Sequence, residues 1–250
     1  VLTKENKARH DTKKNSPLTS NKVKNMKKPN HPSTTYGSQH DLQVVANLAP
    51  HLLEEALCVK HIEFLSPLAS EGYGEYQDDF LKKLKIDDSA HPLKDFWPAK
   101  GPQWDGLAKT DKGEILLIEA KAHISETFGD GTQAKGESFE QIRKALLNVA
   151  MSKNVNANFI EDIWLGPLYQ TANRIAFLDY LVNKLGVKAK LVYVIFLNDP
   201  IAHPSETKDR WNAVLDTAER YMLRLPGRFQ LAKHIKRAFI DYKKLPLIKI

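Results

Sequence analysis

The apolar run Ile115-Leu116-Leu117-Ile118 passes without a break into Glu119-Ala120-Lys121, and this stretch constrains the chain more than any other. Rich in Leu and Ile and preceded by turn chemistry, it reads as a buried strand. Side chains alternate along a strand, so Leu116, Ile118, Ala120 and Ala122 share one face and Leu117, Glu119, Lys121 and His123 the other. The second face begins apolar and ends polar, as a site at a strand's end would. Upstream, Thr110-Asp111-Lys112-Gly113 has the composition of a turn, with Gly113 free to take positive φ. A hairpin centred on Lys112 places Asp105 opposite Glu119 and on the same face, whereas a slip of one residue places it opposite Ile118. In the first register two carboxylates and an ammonium converge on an otherwise apolar sheet.

Burying charge in that way is unfavourable unless the charges are paired or hold a metal ion. Two carboxylates offer the hard oxygen ligands that Mg²⁺ (or Mn²⁺) takes, completed by water and phosphate oxygens. A neighbouring lysine can orient an attacking water or neutralise charge developing on a phosphate. The plain alternative is a solvated Glu-x-Lys pair on an exposed face, with Asp105 as a turn residue before Gly106.

The arrangement of Asp105, a hairpin's length, and then Glu119-Ala120-Lys121 resembles the PD-(D/E)XK, or restriction-endonuclease-like, nuclease superfamily. Pro102-Gln103-Trp104-Asp105 stands where that family often has Pro-Asp, with the proline displaced from Asp105; Glu119-Ala120-Lys121 matches its (D/E)-x-K. About 20 residues carry the likeness closely, and the order of elements on either side carries it more loosely. It implies an α/β fold with a central mixed sheet flanked by helices. It also implies a metal-dependent hydrolase of DNA phosphodiesters, with Asp105 and Glu119 as metal ligands and Lys121 beside them. Members often draw a further acidic residue from a helix ahead of the core strands, for which Glu75, Glu71 and Glu55 are candidates. Some exonucleases of the superfamily carry Gln-x-x-x-Tyr in the helix after the site. Here Gln141 is followed four residues later by Ala145, which favours an endonuclease. The rival within the same fold is a binding module for nucleic acid without turnover.

The net charge of +7 is unevenly placed. Residues 1–40 hold nine Lys or Arg against Glu5 and Asp11, which is +7; the remaining 28 basic and 28 acidic residues cancel. That segment is rich in Asn, Ser, Thr and Pro, so it reads as a disordered basic tail ahead of a nuclease-like domain over 41–250. Such an arm can bind phosphate backbones through counterion release, or simply solubilise the chain. The single cysteine, Cys58, excludes an intramolecular disulfide and multi-cysteine zinc sites, and with no visible secretory signal it fits a cytoplasmic protein. No apolar run approaches the length of a membrane span.

Within the domain, 41–60 reads as helical with a break at Pro50, and Tyr73, Tyr76, Phe80 and Leu84 are spaced for a second helix over 71–84. Residues 87–101 read as loop, and 125–136, with Gly129, Gly131 and Gly136, as a mobile loop. Helices are expected over 137–151, 167–185 and 206–224. In the second of these, Gln170, Asn173 and Arg174 share one polar face, able to support the carboxylates or meet a phosphate, or else to be solvated. Gly186 caps that helix, and Leu191 to Leu197 is the clearest strand. Residues 230–242 fit either a helix or a last strand. Zinc-hydrolase His spacing, a complete P-loop, a dinucleotide fingerprint and a nucleophile elbow are all missing.

Overall fold

The computed structural model describes residues 26–27, 37–152, 160–200, 206–223 and 229–246. Its centre is a five-stranded mixed sheet in the order β2 (Ile62–Ser66), β4 (Gly106–Thr110), β5 (Ile115–Lys121), β6 (Ala189–Leu197) and β7 (Ile235–Asp241). The first three strands run antiparallel and the last three parallel. Two further two-residue strands, β1 (Met26–Lys27) and β3 (Glu75–Tyr76), pair with each other outside it. This is the α/β architecture expected from the sequence.

The hairpin takes the first of the two registers. Gly106 pairs with Ile118 and Leu107 with Leu117, so the alignment continues to Asp105 opposite Glu119. Gly113 has φ +70° and donates its N–H to the Thr110 carbonyl, which closes the turn. All seven β5 residues are buried, because its two faces enter two cores. Leu116, Ile118 and Ala120 pack with Val192, Val194 and Phe196 under α1 (Ser38–Leu48) and α2 (Pro50–Leu57). Ile115 and Leu117 pack with Leu191, Tyr193 and Ile195 under α5 (Gly136–Ser152), α6 (Tyr169–Asp179) and α7 (Lys208–Leu223). Helices therefore cover both faces of the sheet.

The break between α1 and α2 falls at Ala49, whose backbone (φ −142°, ψ 47°) leaves the helical region just before Pro50, whose ring nitrogen cannot donate to the helix behind it. The last turn of the helix that begins at Tyr169 is wound as a π-helix, Tyr180–Lys184, and Gly186 at φ +65° ends it. Residues 230–242 resolve into the strand β7, whose Ala238 and Ile240 complete the α1–α2 core.

Three expectations are corrected. Residues 71–84 are not one helix: a 3₁₀ turn, Ala69–Glu71, leads through Gly72 and Tyr73, both at positive φ, into β3, and α3 spans only Phe80–Leu84. Gly72 and Gly74 are poor helix formers, and the aromatic spacing alone did not overcome them. The stretch 87–101 holds a one-turn helix, α4 (Leu93–Phe96). The proposed tail ends before residue 40, since Ser38–His40 form the first turn of α1; residues 1–25 and 28–36 lie outside the described residues. No helix among the described residues is long and apolar enough to cross a membrane.

Candidate active site

β5 delivers Glu119 and Lys121 to the α5–α7 face of the sheet, and the residue just before β4 brings in Asp105. Glu119 is 1% exposed and Lys121 7%, so neither is a surface charge. Lys121 Nζ donates to Glu119 Oε1 at 2.7 Å and to Gln170 Oε1 at 2.7 Å. Arg174 Nε donates to Glu119 Oε2 at 2.7 Å. The rest of that guanidinium is also satisfied: one terminal nitrogen donates to Asn173 Oδ1 at 2.9 Å and the other to the Gln103 carbonyl at 2.7 Å. It lies over the Trp104 ring, 4.9 Å from its centroid, a cation–π contact away from water.

The polar face of α6 is thus not solvated as a whole. Asn173 and Arg174 are buried, and only Gln170 is exposed. One helical turn places Gln170 on the lysine and Arg174 on the glutamate, four residues apart on one face.

Asp105 is held differently. The Ala120 N–H donates to its Oδ2 at 2.8 Å, while no protein group among the described residues bonds its Oδ1. It sits deep among protein atoms, yet its side chain keeps some exposure. Burial, and then the Glu119 charge, push the Asp105 carboxyl well above the usual range, against the opposing pull of Arg174, the Ala120 N–H and Lys121. Burial acts the same way on Glu119, but Arg174 and Lys121, by charge and by hydrogen bonds, outweigh it and hold that carboxyl below its ordinary value. Tyr193 lies beside Glu119 on β6; burial first, and then the Glu119 charge, keep its phenol neutral. Neighbouring carboxyls pushed in opposite directions are the pattern expected of a functional pair.

The other proposed acidic residues do not join the pair. Glu75 is buried, and Gln39 and Gln103 each donate to it at 2.5 Å, so Gln103 links it to the site. Glu71 bonds Lys83 and the Tyr76 hydroxyl. Glu55 is exposed on α2, across the sheet. Among the described residues no group of three or more His, Cys, Asp or Glu side chains is placed to hold a metal ion. A metal bound here would therefore rest on two carboxylates with water and substrate oxygens, the usual pattern for Mg²⁺. The donor set fits that role: Asp105 Oδ1 has no partner among the described residues, and a cation would relieve its repulsion from Glu119.

Lys121 and Gln170 line a cleft of about 390 Å³ together with Glu126, Phe128–Gly131, Gly166, Pro167 and Tyr169. A larger groove of about 650 Å³ lies between α4, α5 and the end of α6, but it is lined by Asp95, Gln141, Lys144 and Asn148 and touches none of the carboxylate site. The chemistry places the site at the smaller cleft. Gln103, Trp104 and Glu126 were not foreseen as parts of it. Glu126 accepts the N–H groups of Ala122 and His123 and the Ser38 hydroxyl, tying the exit from β5 to α1. Gln103 and Trp104 directly precede Asp105, and that adjacency was the only signal for them.

The chain matches no protein-family model, and neither the curated proteins nor the solved structures include a significant match to it.

Proposed function

We propose that this domain is a metal-dependent nuclease that hydrolyses DNA phosphodiester bonds, in an endonucleolytic mode. One observation carries the reading: Asp105 lies opposite Glu119 across the β4–β5 hairpin, with the Lys121 ammonium bonded to Glu119 on the same face and lining a cleft. Asp105 and Glu119 would hold Mg²⁺ or Mn²⁺. A divalent ion held there lowers the pKa of a bound water and polarises the scissile phosphate. Arg174 orients Glu119 by fixing one oxygen, which leaves further lone pairs on the carboxylate for coordination. Gln170 positions Lys121 by accepting a hydrogen bond from one of its three N–H groups, so with Glu119 accepting a second the ammonium keeps one donor for the cleft. That donor neutralises charge developing on a phosphate oxygen.

A second reading, a nucleic-acid-binding module without turnover, is favoured by a different observation. Both Glu119 oxygens already accept a bond from a buried cation, so the cluster is electrically satisfied to a large degree without metal. One experiment separates the two. Supercoiled plasmid and single-stranded DNA are incubated with the protein in Mg²⁺, Mn²⁺ or EDTA, beside Asp105→Asn. The nuclease cleaves only with metal, and the variant loses at least about 100-fold in rate. Undiminished cleavage by the variant would sink the site assignment, and DNA binding without cleavage under any metal would establish the second reading.

A further inference from the structure

Three large hydrophobic side chains are exposed among the described residues, Leu48, Phe128 and Tyr221, and only Phe128 lies at the candidate site, where it is 48% exposed on the rim of the Lys121 cleft. The glycines around it suggest a slack loop. The structure shows a clamped one. The Phe128 N–H donates to the Ser125 carbonyl, Gly129 N–H to Pro167 at 2.9 Å and Thr132 N–H to Leu165 at 2.9 Å. At Gly131, with φ +83°, an added Cβ would stand 2.6 Å from the Leu165 carbonyl oxygen, so only glycine permits the approach. The backbone on both sides of Phe128 is therefore pinned, and its ring stands exposed although its burial would be favourable. A rigid exposed aromatic beside a polar cleft is the form of a stacking platform.

The charge around the cleft points the same way. Lys121 is opposed there by Glu126 and Asp130, so attraction of phosphate to the bare cleft is weak and a neutral contact must contribute. Every base has a π face, but inside a duplex those faces are already stacked, and exposing one requires unpairing. At about 390 Å³ the cleft is also of a size for a small ligand or a single nucleotide unit.

Resting on the nuclease reading of the same site, we infer that the substrate is single-stranded nucleic acid, with Phe128 stacking on a base next to the scissile phosphate. The test is binding, read by fluorescence anisotropy of a labelled 12-nucleotide oligothymidylate in Ca²⁺ with full-length protein, so that it does not depend on turnover. Phe128→Ala weakens binding roughly 5- to 100-fold and Phe128→Tyr restores it, whereas an abasic oligomer of the same length binds all three proteins alike. Phe128→Trp adds an exposed indole whose emission is quenched by the oligothymidylate and not by the abasic strand. Equal binding of the base-bearing strand by Phe128→Ala, equal loss on the abasic strand, or tighter binding of the duplex form would each overturn the inference. Base-dependent binding that needs Phe128, in a protein that cleaves nothing in any metal, would uphold the stacking site and reject the nuclease.

Discussion

Two acidic pairs lie toward the carboxyl ends of β5 and β6, and they are held in different ways. Asp105 and Glu119 lie on the α5–α7 face, with Lys121 and Arg174 against them and Lys121 lining a cleft. Asp41, wholly buried on α1, faces Asp199, which follows β6 and accepts the Gly37 N–H at 2.8 Å. His40 Nδ1 stands 3.1 Å from Asp41, but no lysine or arginine among the described residues acts on Asp41. Burial first, and then Asp199, push the Asp41 carboxyl up to about 9. Glu119 is just as buried and goes down. The difference teaches that burying carboxylates does not by itself make a site. Two buried cations hold Glu119 charged, while Asp41, with none against it among the described residues, keeps a proton as a structural acid.

That contrast can be broken most directly at Glu119. Glu119→Gln leaves Lys121 and Arg174 buried without their counter-charge, and should lower unfolding free energy by about 3–5 kcal/mol in urea melts at pH 7. A loss below about 1 kcal/mol would mean that the cations do not depend on the glutamate, and the two pairs would no longer differ in kind. Asp41→Asn should act in the opposite direction. The folded state raises Asp41 from 3.8 to about 9, so it keeps a proton that the unfolded chain releases. The stabilisation linked to that proton is complete below pH 3.8 and is lost as the pH rises to about 9, at up to about 1.4 kcal/mol per unit. Asp41→Asn removes this dependence and should gain roughly 1–4 kcal/mol at pH 7. Thermal melts from pH 5 to 9 check it: a variant curve parallel to that of the parent would refute the buried acid. The smallest effect belongs to Gln170→Ala, which removes one acceptor from Lys121 at an exposed position. It should change stability by less than about 1 kcal/mol and slow kcat for cleavage by about 5- to 10-fold with KM unchanged. A shift in KM alone would move Gln170 from positioning the lysine to holding substrate.

Much of the fold and the centre of the site were legible in the sequence. An apolar run ending in Glu119-Ala120-Lys121, with Gly113 at the turn, marks the strand and narrows Asp105 to two registers, and the pairing of Gly106 with Ile118 selects the one that sets it opposite Glu119. The helices of the α5–α7 layer and the strand β6 follow from strong periodicity. Gly72 and Gly74 show where periodicity misleads: aromatic residues at helical spacing lie across a left-handed turn. Whether a helix face is solvated depends on what packs against it, so Arg174 could not be told from a surface arginine until Trp104 and Glu119 were in place around it. The Asp41–Asp199 pair joins residues far apart in the chain and leaves no local trace. Phe128 gives no signal either, since the backbone beside it is pinned by hydrogen bonds to the distant carbonyls of Leu165 and Pro167.

The central strand makes its two strongest partnerships at very different chain separations. It meets β4 across a short turn, but meets β6 only after some 70 residues that include α5 and α6. Short-range pairings close fast and parallel ones slowly, because the long connection must first lose its entropy. A chain with only the hairpin formed would already hold Asp105 against Glu119, with Arg174 still absent. The docking of α6 is thus both the slow, long-range step of assembly and the step that settles the charge of the site. A partly folded chain would carry the acidic residues together but lack the arginine that helps hold Glu119 charged, and the full charge arrangement would arrive together with native topology.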